Sequence, residues 1–208
     1  MRKITIDDIV VCVATHSRVN YLEAMLHSLF QQAVRPRHIY VLDNDSDDDT
    51  PEMVAKYAAE GVIYQQTTGF LGNLKKAQEI ARVAVHSLYI VILHDDDIVH
   101  PLYLKHVINA LNAYENVTQV LTRYTTFRQS IPAAQPLCDR HYVFPRQCDF
   151  ATHLFVCEHV AYATAVYRRA DFVRHDVDFC AFGKYNDWPI MLVQASFGKT
   201  VLLDDPII

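Results

Sequence analysis

The chain is poor in cysteine, has no excess of positive charge and contains no long apolar run. Its five cysteines are an odd number and no two have C-x-x-C spacing, which disfavours a disulfide framework and a zinc ribbon. Lys and Arg number 19 against 24 Asp and Glu, a net charge of −5, which disfavours sequence-independent binding to nucleic acid. The cleanest apolar runs, near residues 9–14 and 88–93, are too short to span a bilayer.

Several familiar signals are also absent. Asp7 and Asp8 lie where a secretory signal peptide would be apolar. No G-x-G-x-x-G and no complete G-x-x-x-x-G-K-[ST] is present, so the chain carries neither a dinucleotide fingerprint nor a P-loop. We expect a cytoplasmic chain with reduced cysteines. Association with the inner face of a membrane and formation of a homodimer stay open.

Apolar runs alternate along the chain with segments of helical periodicity. The runs predict buried strands near 9–14, 38–42, 62–64 and 88–93, separated by amphipathic helices. This alternation is typical of βαβ units and a mostly parallel sheet in an α/β fold. The pattern loosens after residue 128 and resumes with a strand at 160–167, a helix at 188–197 and a strand at 200–203. We predict one domain, 1–208, with a nucleotide-type half (1–127) and a more irregular second half (128–208).

Polar residues follow three of the predicted strands. In open α/β sheets, ligands bind outside the carboxyl ends of the strands, so these segments are expected to share one crevice. They are Thr15-His16-Ser17-Arg18, Asp43-Asn44-Asp45 and His94-Asp95-Asp96-Asp97.

The run Asp95-Asp96-Asp97 is the strongest candidate for a metal site. In an extended segment Asp95 and Asp97 would point to one side and Asp96 to the other. Carboxylates a few Å apart repel by about 1 kcal/mol per pair even in water, and a divalent cation removes that cost. Their hard oxygens suit Mg²⁺ or Mn²⁺, bound together with phosphate oxygens and water. The alternative is a solvated acidic turn near a helix start.

Four further candidates each allow two interpretations. Asp43 fits ordinary turn chemistry, in which we expect it to be partly exposed, but it can also accept a hydrogen bond from a base or ribose. Gly72 lies in a glycine-containing segment that opens a helix, where backbone N–H groups can face phosphate. Lys75 in the same helix can face an anion or solvent. Asp187 precedes an apolar helix with Pro189 in its first turn, and N-cap duty alone explains an Asp there.

Together the segments resemble glycosyltransferase family 2, which has the GT-A fold. They occur in the family's order and cover nearly the whole chain. Ala14-Thr15-His16-Ser17-Arg18 resembles the family's P-T-Y-N-R, and Val41 to Thr50 resembles its V-V-D-N-G-S-x-D-x-T turn. Leu93 to Asp97 resembles its L-D-D-D-D, which holds the D-x-D motif. A fourth segment, Tyr185-Asn186-Asp187-Trp188 with Phe197-Gly198-Lys199 downstream, resembles its Y-E-D-W and x-G-K.

The resemblance implies a metal-dependent inverting transferase. It would move a sugar from a nucleotide diphosphate, with uridine diphosphate (UDP) as the expected carrier, to a hydroxyl of a glycan or lipid-linked glycan, in surface polysaccharide or glycan synthesis. Most of its implied site residues lie in the nucleotide half. Thr15, His16 and Arg18 would line the nucleotide pocket, where Asp43 would contact the base, Asp95 would contact the ribose, and Asp96, Gly72 and Lys75 would lie nearby. Asp97, supported by Asp95, would hold Mg²⁺ or Mn²⁺. Asp187 would be the general base.

The chain departs from the family pattern at a few positions, and rival functions remain. His94 replaces the first Asp of the acidic run, and Asn186 replaces the Glu before Asp187. Thr67 and Lys75 stand where an Asn pair is usual. These changes would also fit a non-catalytic nucleotide-sugar or metal-binding module. A nucleotidyltransferase is a further alternative, but it would need a glycine-rich loop after the first strand.

Overall fold

The computed structural model describes residues 2–69, 71–127, 133–138, 140–157, 161–174, 178, 181–183 and 187–206. In the first half, strands and helices alternate as predicted. The elements are β1 (Ile9–Thr15), α1 (Val19–Phe30), β2 (Ile39–Asn44), α2 (Thr50–Ala55), β3 (Val62–Thr67), α3 (Gly72–Val83), β4 (Tyr89–His94), α4 (Tyr103–Ala113) and β5 (Val117–Arg123).

The second half adds β6 (His141–Phe144), α5 (Gln147–Cys157), β7 (Ala161–Arg168), α6 (Arg169–Arg174), α7 (Asp187–Ser196) and β8 (Lys199–Pro206). The predicted strand, helix and strand after residue 160 correspond to β7, α7 and β8. The sequence does not predict β5 or α6, and it leaves 128–158 without regular structure, where β6 and α5 lie. Both elements have weak sequence patterns, because β6 is a short strand between Pro136 and Pro145, and among the described side chains of α5 only Phe150 and Leu154 are buried.

Among the described residues, the strands form one sheet in the order β3-β2-β1-β4-β7-β5-β8-β6. β1 pairs in parallel with β2 and β4, and β2 pairs in parallel with β3. β7 is antiparallel to β4 and β5, and β6 is antiparallel to β8. The mostly parallel α/β fold is therefore confirmed.

The sheet is covered on both faces, which explains the unbroken apolar runs of its strands. Val11 and Val13 of β1 face one core, and Val10 and Cys12 face the other. Helices α1, α2 and α4 pack on the first face, and α3, α5, α6 and α7 pack on the second. Burial raises the pKa of the Cys12 thiol well above its ordinary range, so Cys12 is an inert core residue. No helix among the described residues is long and apolar enough to cross a membrane.

The strand order reverses at β1, which has β2 on one side and β4 on the other. Chain segments leaving adjacent strands in opposite directions open a crevice at the carboxyl edge of such a sheet, where ligands bind. The segments after β1, β2 and β4 meet at this point. The fold therefore brings all three predicted polar segments to one crevice.

Candidate active site

The segment after β1 is fixed by the acidic turn after β2. The Ser17 backbone N–H donates to Ser46 Oγ at 2.8 Å, and Ser17 Oγ donates to Asp47 Oδ1 at 2.7 Å. The Val19 backbone N–H at the start of α1 donates to Asp48 Oδ2 at 2.9 Å. Asp47 and Asp48 lie just before α2, and these hydrogen bonds tie them to the segment before α1.

Three non-glycine residues in this edge have left-handed backbone conformations. They are Ser17 (φ 49°), Asp45 (φ 63°) and Leu71 (φ 57°), one after each of β1, β2 and β3. Asp45 stands where the family turn has glycine, which adopts this conformation without strain. Strained residues of this kind persist where surrounding contacts over-determine them, and they cluster at binding sites.

Asp43 is fully buried at the end of β2. Its Oδ1 accepts hydrogen bonds from the Ser46 backbone N–H at 3.0 Å and from Ser46 Oγ at 2.5 Å. Its Oδ2 accepts one from Tyr64 Oη at 2.7 Å. We expected a strand-end Asp in a turn to be partly exposed, and that expectation is wrong, because the turn folds back over the carboxylate and β3 supplies Tyr64. Contact of Asp43 with a nucleotide base stays a prediction.

Asp95 is also buried, and it faces the segment after β1. Thr15 Oγ1 donates to Asp95 Oδ2 at 2.6 Å. Arg18 Nη2 lies 3.0 Å from Asp95 Oδ1, in an ion pair outside hydrogen-bond geometry, and Arg18 Nη1 donates to Asp96 Oδ2 at 2.5 Å. Burial raises the pKa of Asp95, and the Thr15 hydrogen bond and the Arg18 charge oppose that rise. The predicted residues Thr15, Arg18, Asp95 and Asp96 are therefore brought together.

Two members of the acidic run form a group with His94. The chain turns after β4 instead of staying extended, and the Asp97 backbone nitrogen lies 3.4 Å from the His94 carbonyl oxygen. The alternation expected for an extended segment therefore does not apply to these three aspartates. Instead, ligand atoms of His94, Asp96 and Asp97 lie within 4.8 Å of one another, and we call these three residues the β4-end group. The part of Asp95 in metal binding stays a prediction.

Asp187 begins α7 and is partly buried near the β4-end group. Burial raises the pKa of Asp187, while its own backbone N–H and the nearby charge of His94 act to lower it. Burial likewise raises the pKa of Asp97, and His94 opposes that rise. His94 thus lies close enough to act on both carboxylates. Tyr185 and Asn186, which complete the predicted motif, lie outside the described residues.

The remaining predicted residues lie on the far wall of the crevice. His16 Nδ1 is 2.8 Å from the Asn44 carbonyl oxygen. A Cβ on Gly72 would lie 2.5 Å from Asn44 Oδ1, so a larger residue would displace the Asn44 side chain. The Gly72 backbone N–H donates to the Gly69 carbonyl oxygen at 3.0 Å. Lys75 is exposed one turn into α3. Contact of these residues with phosphate stays a prediction.

Two further residues contribute to this site, and no sequence motif assigns them to it. Thr67 Oγ1 lies 2.7 Å from Asn73 Oδ1 and 3.1 Å from the Asp43 carbonyl oxygen, and so joins β2, β3 and α3. The second is His94, which replaces an Asp of the family pattern; an imidazole at the end of a buried strand beside carboxylates is itself a signal for a metal ligand.

A sheet that reverses at β1, with polar segments after β1, β2 and β4 and an acid at the start of α7, defines the class of GT-A-fold transferases. The sequence profile described as Glycosyl transferase family 2 matches residues 10–173. The chain belongs to glycosyl transferase family 2, and the resemblance drawn from its motifs is confirmed. A search of curated proteins gives no match.

Solved structures agree on the fold. S. aureus TarS in complex with UDP is 17% identical, with a TM-score of 0.69 over 95% of this chain and 58% of that one. The mannosyltransferase PcManGT from Pyrobaculum calidifontis, in complex with GDP-Man and Mn²⁺, is 19% identical, with a TM-score of 0.57 over 96% of this chain and 55% of that one. This chain therefore spans less than two thirds of the length of these relatives.

Proposed function

We propose that this domain transfers a sugar from a nucleotide diphosphate donor to an acceptor hydroxyl, with inversion and with a bound divalent cation. The observation that carries the proposal is the placement of two acidic sites at one crevice: the β4-end group and Asp187. A nucleoside diphosphate leaving group gains negative charge as the glycosidic bond breaks. The acceptor hydroxyl is a weak nucleophile whose proton must be removed. The reaction needs one group for each task.

Asp97 and its neighbours in the β4-end group would hold the cation, and their donor set suits one. Two carboxylates and an imidazole converge there, and burial raises the pKa of Asp97, which a nearby cation would reverse. A bound cation would supply Lewis-acid stabilisation of the diphosphate charge. Mn²⁺ or Mg²⁺ is the proposed cation, and the PcManGT complex with Mn²⁺ supports this choice.

Asp187 would accept the proton of the attacking hydroxyl. Its raised pKa makes it a stronger base than an exposed carboxylate, and its place at the start of α7 holds it in position. On the other wall, Thr15 and Arg18 fix the Asp95 carboxylate, which would face the ribose. Asp43, held in the turn after β2, would lie at the base. Arg18 would also lie near the diphosphate through its bond to Asp96.

UDP is the proposed nucleotide. TarS and the glucosyl-3-phosphoglycerate synthase of Mycobacterium tuberculosis were both crystallised with UDP, which supports this choice, whereas PcManGT was crystallised with GDP-Man. A role in surface polysaccharide or glycan synthesis, with a glycan or lipid-linked glycan as acceptor, is part of the same proposal. Residues 1–208 would act as one domain, since the single sheet includes strands from both halves.

The test is a panel of UDP- and GDP-sugars, screened first by thermal shift with and without Mn²⁺. Sugars that bind are then incubated with candidate acceptor glycans, and the product is examined by NMR. We expect the protein to be stabilised by one nucleotide in a Mn²⁺-dependent way, and the transferred sugar to have the anomeric configuration opposite to that of the donor. A product with retained configuration would contradict the proposal. Binding without turnover across the panel would favour a non-catalytic module.

A further inference from the structure

The end of β4 differs from the family pattern at His94, and this difference has a chemical consequence. The family run begins with Asp, whereas here an imidazole occupies that position. His94 is the last residue of β4, in a strand whose preceding residues are buried between two helical layers. The strand therefore fixes the position of the His94 backbone, and the turn that follows brings Asp96 and Asp97 back towards the imidazole.

Geometry favours His94 as a ligand in its own right. One ring nitrogen of His94 and one carboxylate oxygen each from Asp96 and Asp97 lie within 4.8 Å of one another. Ligands of one cation lie about 2.0–2.3 Å from it, so atoms that share a cation are at most about 4.5 Å apart. The β4-end group is close to that limit. Small side-chain rotations would bring all three atoms within reach of a single ion.

Asp95, by contrast, is drawn away from that point. Its carboxylate lies against Thr15 and Arg18 on the β1 side of the crevice. Asp95 is thus held by Thr15 and Arg18, whereas Asp97 and Asp96, whose Oδ2 also accepts a hydrogen bond from Arg18, lie beside the imidazole. The nitrogen of His94 stands where a third carboxylate oxygen would otherwise be available.

We propose that His94 is a direct ligand of the divalent cation, so that the site prefers Mn²⁺, or a transition metal later in the series, over Mg²⁺. This inference rests on the proposed function, because it concerns the cation that the transferase would use. Carboxylate and water ligands suit Mg²⁺, whereas an imidazole nitrogen favours transition metals. Mg²⁺ also demands near-ideal octahedral oxygen geometry and sheds water reluctantly. A mixed nitrogen and oxygen set therefore selects against it.

The experiment is pulsed EPR of Mn²⁺ bound to the full chain with UDP, because a directly bound imidazole gives a characteristic ¹⁴N coupling. Wild type is compared with His94→Asp, which restores the family residue, and with His94→Gln in case the first variant fails to fold. His86→Asn is the matched control, since His86 is exposed and lies before β4, at the opposite end of that strand from His94. Competition between Mn²⁺ and Mg²⁺ is measured on the same samples.

We expect ¹⁴N coupling in wild type and in His86→Asn and its loss in the His94 variants. We also expect His94→Asp to reduce the preference for Mn²⁺ over Mg²⁺ by roughly tenfold or more, the scale on which changes around a metal alter its affinity. The assignment of His94 would be overturned if wild type bound Mn²⁺ without ¹⁴N coupling, or if the coupling persisted in both His94 variants. Either result would leave the proposed transferase function intact. Wild type that binds UDP with no dependence on Mn²⁺ would overturn both.

Discussion

The two sides of the crevice use their carboxylates differently. On the β1–β2 side, Asp43 and Asp95 are buried and bonded to other residues of the chain, through Tyr64, Ser46, Thr15 and Arg18. On the β4–α7 side, burial raises the pKa of Asp97 and of Asp187, and His94 is among the groups that oppose this rise at both carboxylates. We infer that the first side is a preformed wall that positions a nucleotide. The second side carries the groups that would bind a cation and move a proton.

The largest effect should come from Asp187→Asn. Asn caps a helix about as well as Asp but cannot accept a proton. We expect the transfer rate to fall at least about a hundredfold, within the usual range for a lost general base. The melting temperature and the affinity for nucleotide should stay near those of wild type. Transfer of the sugar and calorimetric binding of UDP, measured on the same preparation, check this.

Asp149→Asn is the matched control, because Asp149 lies in the first turn of α5 as Asp187 does in α7. It should leave transfer unchanged. The pH profile gives a second check, since the raised pKa of Asp187 should place the acidic limb of the rate above the ordinary Asp pKa of about 3.9. Wild-type turnover in Asp187→Asn would reduce Asp187 to a helix cap.

The next effect concerns the wall, through Thr15→Val. This change removes the hydrogen bond to the buried Asp95 carboxylate and leaves the shape of the side chain almost unchanged. A buried acceptor left unsatisfied costs about 1–3 kcal/mol, so we expect the free energy of unfolding to fall by that amount. Chemical denaturation measures it. Nucleotide affinity should fall as well if Asp95 is held for the ribose.

Arg37→Ala is the control for an ion pair outside the crevice. Arg37 pairs with Asp7 near the amino ends of the strands, where both side chains are exposed, and such pairs contribute about 0–1 kcal/mol. If Thr15→Val lowered the free energy of unfolding no more than Arg37→Ala does, the β1–β2 side of the crevice would be no more tightly organised than the rest of the surface.

A smaller effect is expected from Tyr64→Phe. The phenol hydroxyl donates to Asp43, and burial followed by that hydrogen bond raises the pKa of Tyr64 above its ordinary range. Loss of one such bond should lower the free energy of unfolding by about 0.5–1.5 kcal/mol, or somewhat more because the acceptor is charged. Denaturation curves of the variant and of Tyr142→Phe, whose ring is 39% exposed on β6, provide the comparison. Equal stability of the two variants would argue against a structural role for the Asp43 carboxylate.

The smallest effect is the pH dependence contributed by Asp48. Slight burial raises the pKa of Asp48, but hydrogen bonds from Thr50 and from the Val19 backbone outweigh it and leave the pKa lowered. A lowered folded-state pKa gives stability that is present above the unfolded value near 3.9 and is lost as the pH falls through the folded value. The difference in melting temperature between wild type and Asp48→Ala should therefore narrow between about pH 5 and pH 3. A difference that does not change with pH would contradict this assignment.

The sequence predicts the parallel half of the fold well, because each strand there is a continuous apolar run followed by a polar segment. It also places Asp187 at the start of α7. It does not predict that β7 inserts between β4 and β5, since that pairing joins residues far apart in the chain and leaves no local pattern. β5 was missed for a related reason, because its neighbours in the sheet are β7 and β8. α6 is a helix of only six residues that packs against α3, and it is too short for a clear helical pattern.

Sequence patterns are limited in the same way at the site. The strand-end residues are predicted, but which way each side chain points depends on contacts between segments. Asp95 turns towards Thr15, which is 80 residues earlier in the chain, and Asp48 bonds to Val19, which is 29 residues earlier. Alternation along an extended segment cannot anticipate the turn that the chain makes after β4.

The most direct test of the account is calorimetric titration of UDP into wild type, Asp97→Ala and Asp7→Ala, each with Mn²⁺ and with a chelator. Asp7 is an exposed aspartate near the amino ends of the strands and serves as the control. We predict that Mn²⁺ strengthens UDP binding to wild type and to Asp7→Ala, and that this gain disappears in Asp97→Ala. Equal UDP affinity in all three proteins, with or without Mn²⁺, would contradict the assignment of the β4–α7 side as the metal-binding side.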